Sequence, residues 1–214
     1  MKALLFSRTT GFRHKSIPAG IEAFRQLSEG IEATEDPAAL EDLTGVDAVV
    51  FLNTNGEVLT GAGRVALERY VRGGGGFLGV HSAAATEYDW PFYGDLVGAW
   101  FDRHPPVQPA TITVSDPDHP ATAHLPAAWA RLDEWYDFRS RPDARVLLRV
   151  DESTYEGGGM GDDHPVAWCH ERLGGRVFYT ALGHTIESYA EPAFREHLSK
   201  ALRWVTSIST HGHR

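Results

Sequence analysis

Gly73-Gly-Gly-Gly-Phe-Leu-Gly-Val-His-Ser-Ala83 decides how the rest of the chain is read. Gly76 to Val80 is a short apolar run opened by glycines, which suits a central parallel strand buried on both faces. His81, Ser82 and Ala83 follow at once, so the strand must end in a sharp turn. In an open parallel sheet, ligands bind outside the carboxyl ends of the strands, and the side chain at position 81 is expected to face a pocket. Strained strand-to-helix turns display reactive groups, and here the group is an imidazole rather than a thiol or hydroxyl.

Outward from this strand, the pattern alternates. Lys2 to Phe6 reads as a first strand and Ile17 to Leu27 as a helix, with Ser16 as N-cap and Pro18 in the first turn. Asp47 to Leu52 reads as a second buried strand. Thr60 to Arg72 reads as a helix with Val65, Leu67, Tyr70 and Val71 partly facing the core. Strand, helix, strand, helix, strand predicts an α/β fold with a mostly parallel sheet and helices on both faces. Tyr88 to Pro109, rich in aromatics, Gly and Pro, reads as an irregular insertion lining a site. Its aromatics Trp90, Phe92, Tyr93, Trp100 and Phe101 suit either sugar stacking or a cap on the core. Ala110 to Val114, Leu132 to Phe138 and Arg145 to Val150 are strand candidates. His164 to His170 and Gly175 to Ala181 suggest a hairpin, and Pro192 to Val205 a closing helix with Phe194, Leu198, Leu202 and Val205 on one face. One domain over residues 1–208 is expected, with a disordered tail at 209–214 that carries His211 and His213.

Composition narrows the function. A formal charge of -9 without a basic cluster argues against a nucleic-acid partner. No segment approaches the length of a bilayer span, and the amino terminus reads as a strand rather than a signal peptide, so no membrane partner and a cytoplasmic location are expected. Cys169 is the chain's single cysteine. It rules out an internal disulfide or a cysteine-rich zinc site and is expected in the core, so any metal must be held by histidine and carboxylate. The glycine run is not a phosphate loop, because no Gly-Lys-Ser/Thr follows.

The chain has 11 histidines. His14, His81 and His184 each follow a predicted strand, so the three can converge in one pocket, with Glu134 and Asp137 adding carboxylates. Such groups accept a proton near neutral pH or ligate a metal. His104 lies in the irregular insertion. His119 and His164 precede prolines and are read as turn residues, while His170 and His197 are expected to face solvent.

Thr10-Gly-Phe-Arg-His-Lys-Ser-Ile17, the Gly73–Ala83 segment, Asp133-Glu-Trp-Tyr-Asp-Phe138, His164-Pro-Val-Ala-Trp168 and Gly174 to His184 resemble the ThuA-like, or trehalose-utilisation, family over nearly the whole chain. The resemblance implies a class I glutamine amidotransferase-like fold, a flavodoxin-like three-layer α/β/α sandwich. It sets His81 where an amidotransferase carries its nucleophilic cysteine and His184 near the amidotransferase's catalytic histidine, so glutamine hydrolysis through a thioester is not expected. It further implies a small-molecule carbohydrate as partner, a disaccharide or its 3-keto derivative. The expected catalytic residues are His81, His184 and Glu134, and the expected substrate-binding residues Arg13, His14, Ser82, His104, Trp135 and Asp137. A divalent metal on His14, His81, His184 or Glu134 stays open. So do a homo-oligomer, a partner dehydrogenase, and a role as a non-catalytic sugar-binding or accessory subunit of an oxidoreductase system.

Overall fold

The computed structural model describes residues 1–207, so the tail with His211 and His213 lies outside the described residues. Its frame is a nine-stranded sheet in the order β2-β1-β3-β4-β11-β10-β9-β6-β7. The strands are β1 (Ala3–Phe6), β2 (Ile31–Thr34), β3 (Ala48–Leu52), β4 (Gly76–Val80), β6 (Gln108–Val114), β7 (Ala128–Asp133), β9 (Arg145–Asp151), β10 (Pro165–His170) and β11 (Val177–Thr180). The pairings from β2 across to β11 are all parallel, and those from β11 to β7 are antiparallel. β5 (Phe101–Arg103) and β8 (Asp137–Phe138) form a separate two-stranded ribbon.

Side-chain alternation along the central strands sorts the helices into two layers. Leu52 of β3 packs against Gly20 of α1 (Ile17–Leu27), and α4 (Pro192–Thr206) lies beside α1 on that face. Phe51, the next residue on β3, points the other way, with its ring 5.8 Å from that of Tyr93 on α3 (Pro91–Val97). α2 (Gly61–Arg72) joins this second layer through Arg64 over Trp90 and Arg72 over Phe92. The architecture is therefore an α/β sandwich of the flavodoxin-like kind, with every residue of β1, β3, β4 and β11 buried. The short apolar runs are strands because both faces of each are covered.

Several sequence expectations change here. Tyr88 to Pro109 is not irregular: it holds α3, β5 and the start of β6, with Pro91 opening the helix and Gly98 closing it at φ 89°. Of its aromatics, Phe92 and Tyr93 are buried, with Tyr93 donating to the carbonyl of Ala83, whereas Phe101 is half-buried with its ring 4.3 Å from that of Tyr136 and 5.8 Å from that of His104. The strand expected over Leu132 to Phe138 is cut into β7 and β8 by Glu134 to Tyr136. β2, a short edge strand with one buried residue, gave too weak an apolar signal to be anticipated. Val65 points to solvent, whereas Leu67 and Val71 are buried. His170 and His197, expected at the surface, are buried because α3 and the segment before β7 cover them: they pair with the carbonyls of Leu96 and Ala121. His119 and His164 are buried too. Cys169 is a core residue, as expected. Of the glycine run, Gly76 has the clearest reason, since a Cβ there would collide with the backbone of Val205 on α4. Among the described residues no helix is long and apolar enough to cross a membrane.

Candidate functional site

Four side chains from four strand ends meet at one edge of the sheet. His14 lies on the loop after β1, His81 directly after β4, His184 four residues after β11, and Glu134 directly after β7. One ligand-type atom from each lies within 4.8 Å of the others.

His81 is the pivot. Its backbone φ is 50°, in the left-handed region that costs a residue with a side chain on the order of 1–3 kcal/mol. A 3-10 turn, His81–Ala85, follows, so the strained turn read from the sequence is present. The conformation is held from both sides: the Tyr179 hydroxyl donates to the His81 carbonyl at 2.7 Å, and Nδ1 of the ring pairs with the Ala181 carbonyl at 2.6 Å. A carbonyl can only accept, so Nδ1 carries hydrogen and donates. Nε2 then points into the cluster, 3.2 Å from Nδ1 of His184 and 3.3 Å from Oε2 of Glu134. Tyr136 stacks on the His81 ring at 4.3 Å between centroids.

The neighbours differ in electrostatics. Burial first, then the adjacent His81 and His184, push the pKa of His14 down from 6.5 to about 2, so it is neutral. Burial also opposes charge on His184, but the hydrogen bond and charge of Glu134 outweigh it and raise its pKa. The carboxyl of Glu134 is pushed up by burial and pulled down more strongly by its close contacts with His184 and His81, ending well below the ordinary carboxylate range. Nδ1 of His14 lies 3.3 Å from the Ser82 hydroxyl, and Nδ1 of His104 lies 3.1 Å from the second oxygen of Glu134.

Sequence reasoning thus named His14, His81, His184, Glu134, Ser82 and His104, and the structure brings all six together. Three other expected residues stand apart. Arg13 pairs with Glu35 on the exposed surface at 2.6 Å. Trp135 is fully buried and donates to the Gln108 carbonyl. Asp137 binds Arg103 at 2.9 Å and the amide of Gly159. The chain from Glu134 to Asp137 alternates, so Glu134 and Tyr136 face the cluster while Trp135 and Asp137 face away. Sequence reasoning missed Tyr136, and it missed Asp133, whose buried carboxylate accepts from the amides of Glu134, Gly183 and His184, each at 3.0 Å. It also missed Phe12, which is 64% exposed and has its ring edge-on to His14 at the rim. The spacing of the sequence carries no sign that Asp133 reaches across 50 residues.

Asp137, Glu152 and His164 form a second cluster. There His164 pairs with Glu152 at 2.7 Å and with the Tyr136 carbonyl at 2.8 Å, so both ring nitrogens are occupied.

A family model described as trehalose utilisation matches residues 2–205. The chain belongs to the ThuA family. Among solved structures it is similar to a ThuA-like protein from Bacteroides uniformis, at 26% identity and TM-score 0.83, covering 100% of this chain and 94% of that one. A ThuA-like protein from Parabacteroides merdae is similar at 19% identity and TM-score 0.82, covering 100% of this chain and 92% of the other. A cytoplasmic protein from Salmonella typhimurium LT2 shares the fold at 13% identity and TM-score 0.69, with 97% and 100% coverage. No curated protein sequence matches it.

Proposed function

We propose that this ThuA-family protein acts on a carbohydrate, a disaccharide or its 3-keto derivative, at the His14, His81, Glu134 and His184 cluster. The observation that carries the reading is the convergence of these four side chains, three of them buried and the fourth, His184, half-buried near the exposed His104. Membership of a family described by trehalose utilisation supports the substrate class. Phe12 offers an exposed aromatic face beside His14, and polar groups below it can meet sugar hydroxyls.

A keto group acidifies the neighbouring C–H. A base removes that proton and the charge rests on the carbonyl oxygen as an enolate; the electron pair then returns to form a carbon–carbon double bond as the bond to the glycosidic oxygen on the next carbon breaks, and that oxygen collects a proton as it leaves. His81 and His184 are the acid–base pair in this reading, with Glu134 orienting both. Glutamine hydrolysis does not fit, since Cys169 is the chain's single cysteine and lies buried on β10, with its thiol pushed up to about 12 by burial.

The test is turnover of 3-keto-trehalose and related 3-keto glycosides by the purified protein. Activity that falls by about a thousandfold or more in His81→Ala and His184→Ala, with unchanged circular dichroism, is the expected outcome. Inactivity of the wild-type protein across a broad panel of 3-keto and unoxidised disaccharides sinks the reading. Tight binding of a disaccharide without turnover would make it a sugar-binding module instead.

A further inference from the structure

We propose that His81, His184 and Glu134, with His14 beside them, form a binding site for a divalent transition-metal ion of the zinc class. Nε2 of His81, Nδ1 of His184 and Oε2 of Glu134 make a nearly equilateral triangle with edges of 3.1, 3.2 and 3.3 Å. Bonds of about 2.0–2.1 Å to a tetrahedral ion place its ligands roughly 3.3 Å apart, which matches all three edges.

Hydrogen bonds alone fit the triangle poorly. In the neutral ring, Nδ1 of His81 spends the one hydrogen on Ala181, which leaves a lone pair on Nε2 facing a carboxylate oxygen. His184 brings at most one hydrogen on Nδ1, and that hydrogen can lie along only one edge. A central cation satisfies the three atoms together. The second cluster is the contrast: Nε2 of its His164 meets the Tyr136 carbonyl at 2.8 Å and stands 4.0 Å from Asp137, which binds Arg103, while Glu152 already accepts from the amide of Met160. That cluster lacks three free atoms at ligand spacing, while the first presents His81 Nε2, His184 Nδ1 and Glu134 Oε2 to a common centre.

The surroundings are those of a built metal site. Ligating histidines characteristically donate their other ring nitrogen to a carbonyl, as His81 does to Ala181. Ser82 lies against Nδ1 of His14, and Asp133 pins the backbones of both Glu134 and His184. Three histidines and one carboxylate select a first-row transition ion over calcium or magnesium, which prefer all-oxygen shells. The His14 ring stands beside the triangle, 4.7 Å from that of His81 and 5.0 Å from that of His184 between centroids, and the side facing His104 is left for a substrate oxygen. This inference rests on the carbohydrate reading only for the ion's role, which is to polarise a sugar carbonyl or hydroxyl. In the loaded protein His81 and His184 serve as ligands, so their roles as the acid–base pair belong to the metal-free cluster alone.

The experiment is elemental analysis of full-length protein purified without chelator or immobilised metal, followed by cobalt(II) titration of the chelator-stripped protein. About one equivalent of transition metal and a saturable visible cobalt band at one equivalent are expected. Both should be lost in His81→Ala and in the near-isosteric Glu134→Gln and retained in Glu152→Gln. Circular dichroism and the burial of Cys169 report whether each variant has folded. Wild-type protein that takes up neither zinc nor cobalt overturns the inference, as does a cobalt signal that follows Glu152 instead of Glu134. Metal binding without sugar turnover would sink the carbohydrate reading alone. Full turnover by verified metal-free protein, with no cobalt uptake, would sink the metal alone.

Discussion

At the residue scale, the least conspicuous member of the site does the most to hold it. Asp133 is fully buried, accepts three backbone amides at 3.0 Å and pairs with Arg131 at 3.0 Å. Removing one partner of a buried ion pair strands the other, and orphaned amides add their own desolvation cost. Arg131 retains Ser188 at 2.8 Å and Glu191 at 3.3 Å, which softens the loss. Asp133→Ala is therefore expected to lower unfolding free energy by about 3 kcal/mol, and Asp133→Asn, which keeps one acceptor oxygen, by less. Urea denaturation measures both, and a loss below about 1 kcal/mol for the alanine variant would contradict the bracing role. His14, His81 and His184 were legible in the sequence because each follows a readable strand. Asp133 and Tyr136 were not, because their partners are set by which strand ends meet.

At the scale of elements, α4 shows how burial changes a residue that sequence reading left in solvent. His197 is fully buried on this helix, its Nδ1 2.8 Å from the Ala121 carbonyl. Burial is the largest cause holding its pKa down from 6.5 to about 3; the Ala121 hydrogen bond opposes the shift, and His124, Arg131 and His119 reinforce it. The folded protein therefore refuses a proton that the unfolded chain accepts, and stability is complete above the unfolded value near 6.5 and is lost as pH falls towards 3. At pH 5 the loss from this one group is about 2 kcal/mol. His119, held at about 4 mainly by burial, acts in the same direction. His197→Asn can keep a donor to Ala121 and removes the titration, so the slope of unfolding free energy between pH 6.5 and 4 should fall by about 1.4 kcal/mol per pH unit. Urea midpoints across that range test it, and an unchanged slope would remove His197 from the acid response. The amphipathic stripe of α4 was readable at helical spacing, but an imidazole on that stripe looks the same whether its neighbour is water or a strand.

At the scale of the whole molecule, the sheet is the scaffold and Cys169 is its internal reporter. β10 sits in the antiparallel half between β11 and β9, and its thiol is pushed up to about 12, mainly by burial. Modification by a thiol reagent in native buffer should be negligible and should appear in urea at the same midpoint as loss of helical circular dichroism. Labelling at clearly lower urea would mean that the antiparallel half opens on its own. The parallel half of the fold was legible because strands buried on both faces are apolar without interruption and alternate with helices of 3.6-residue period. The antiparallel half blurred at Tyr88 to Pro109 and at Leu132 to Phe138, where short elements and half-buried strands leave weak periodicity. Local pattern thus established the α/β class, the turn at His81 and three histidines at strand ends, since each depends on neighbours a few residues away. The junction of β7 with the loop after β11, which sets Asp133 against Gly183 and His184 and turns Asp137 away towards Arg103, was decided only by the tertiary structure. Contacts across 50 residues depend on strand order and twist, and neither is encoded in any local run of side chains.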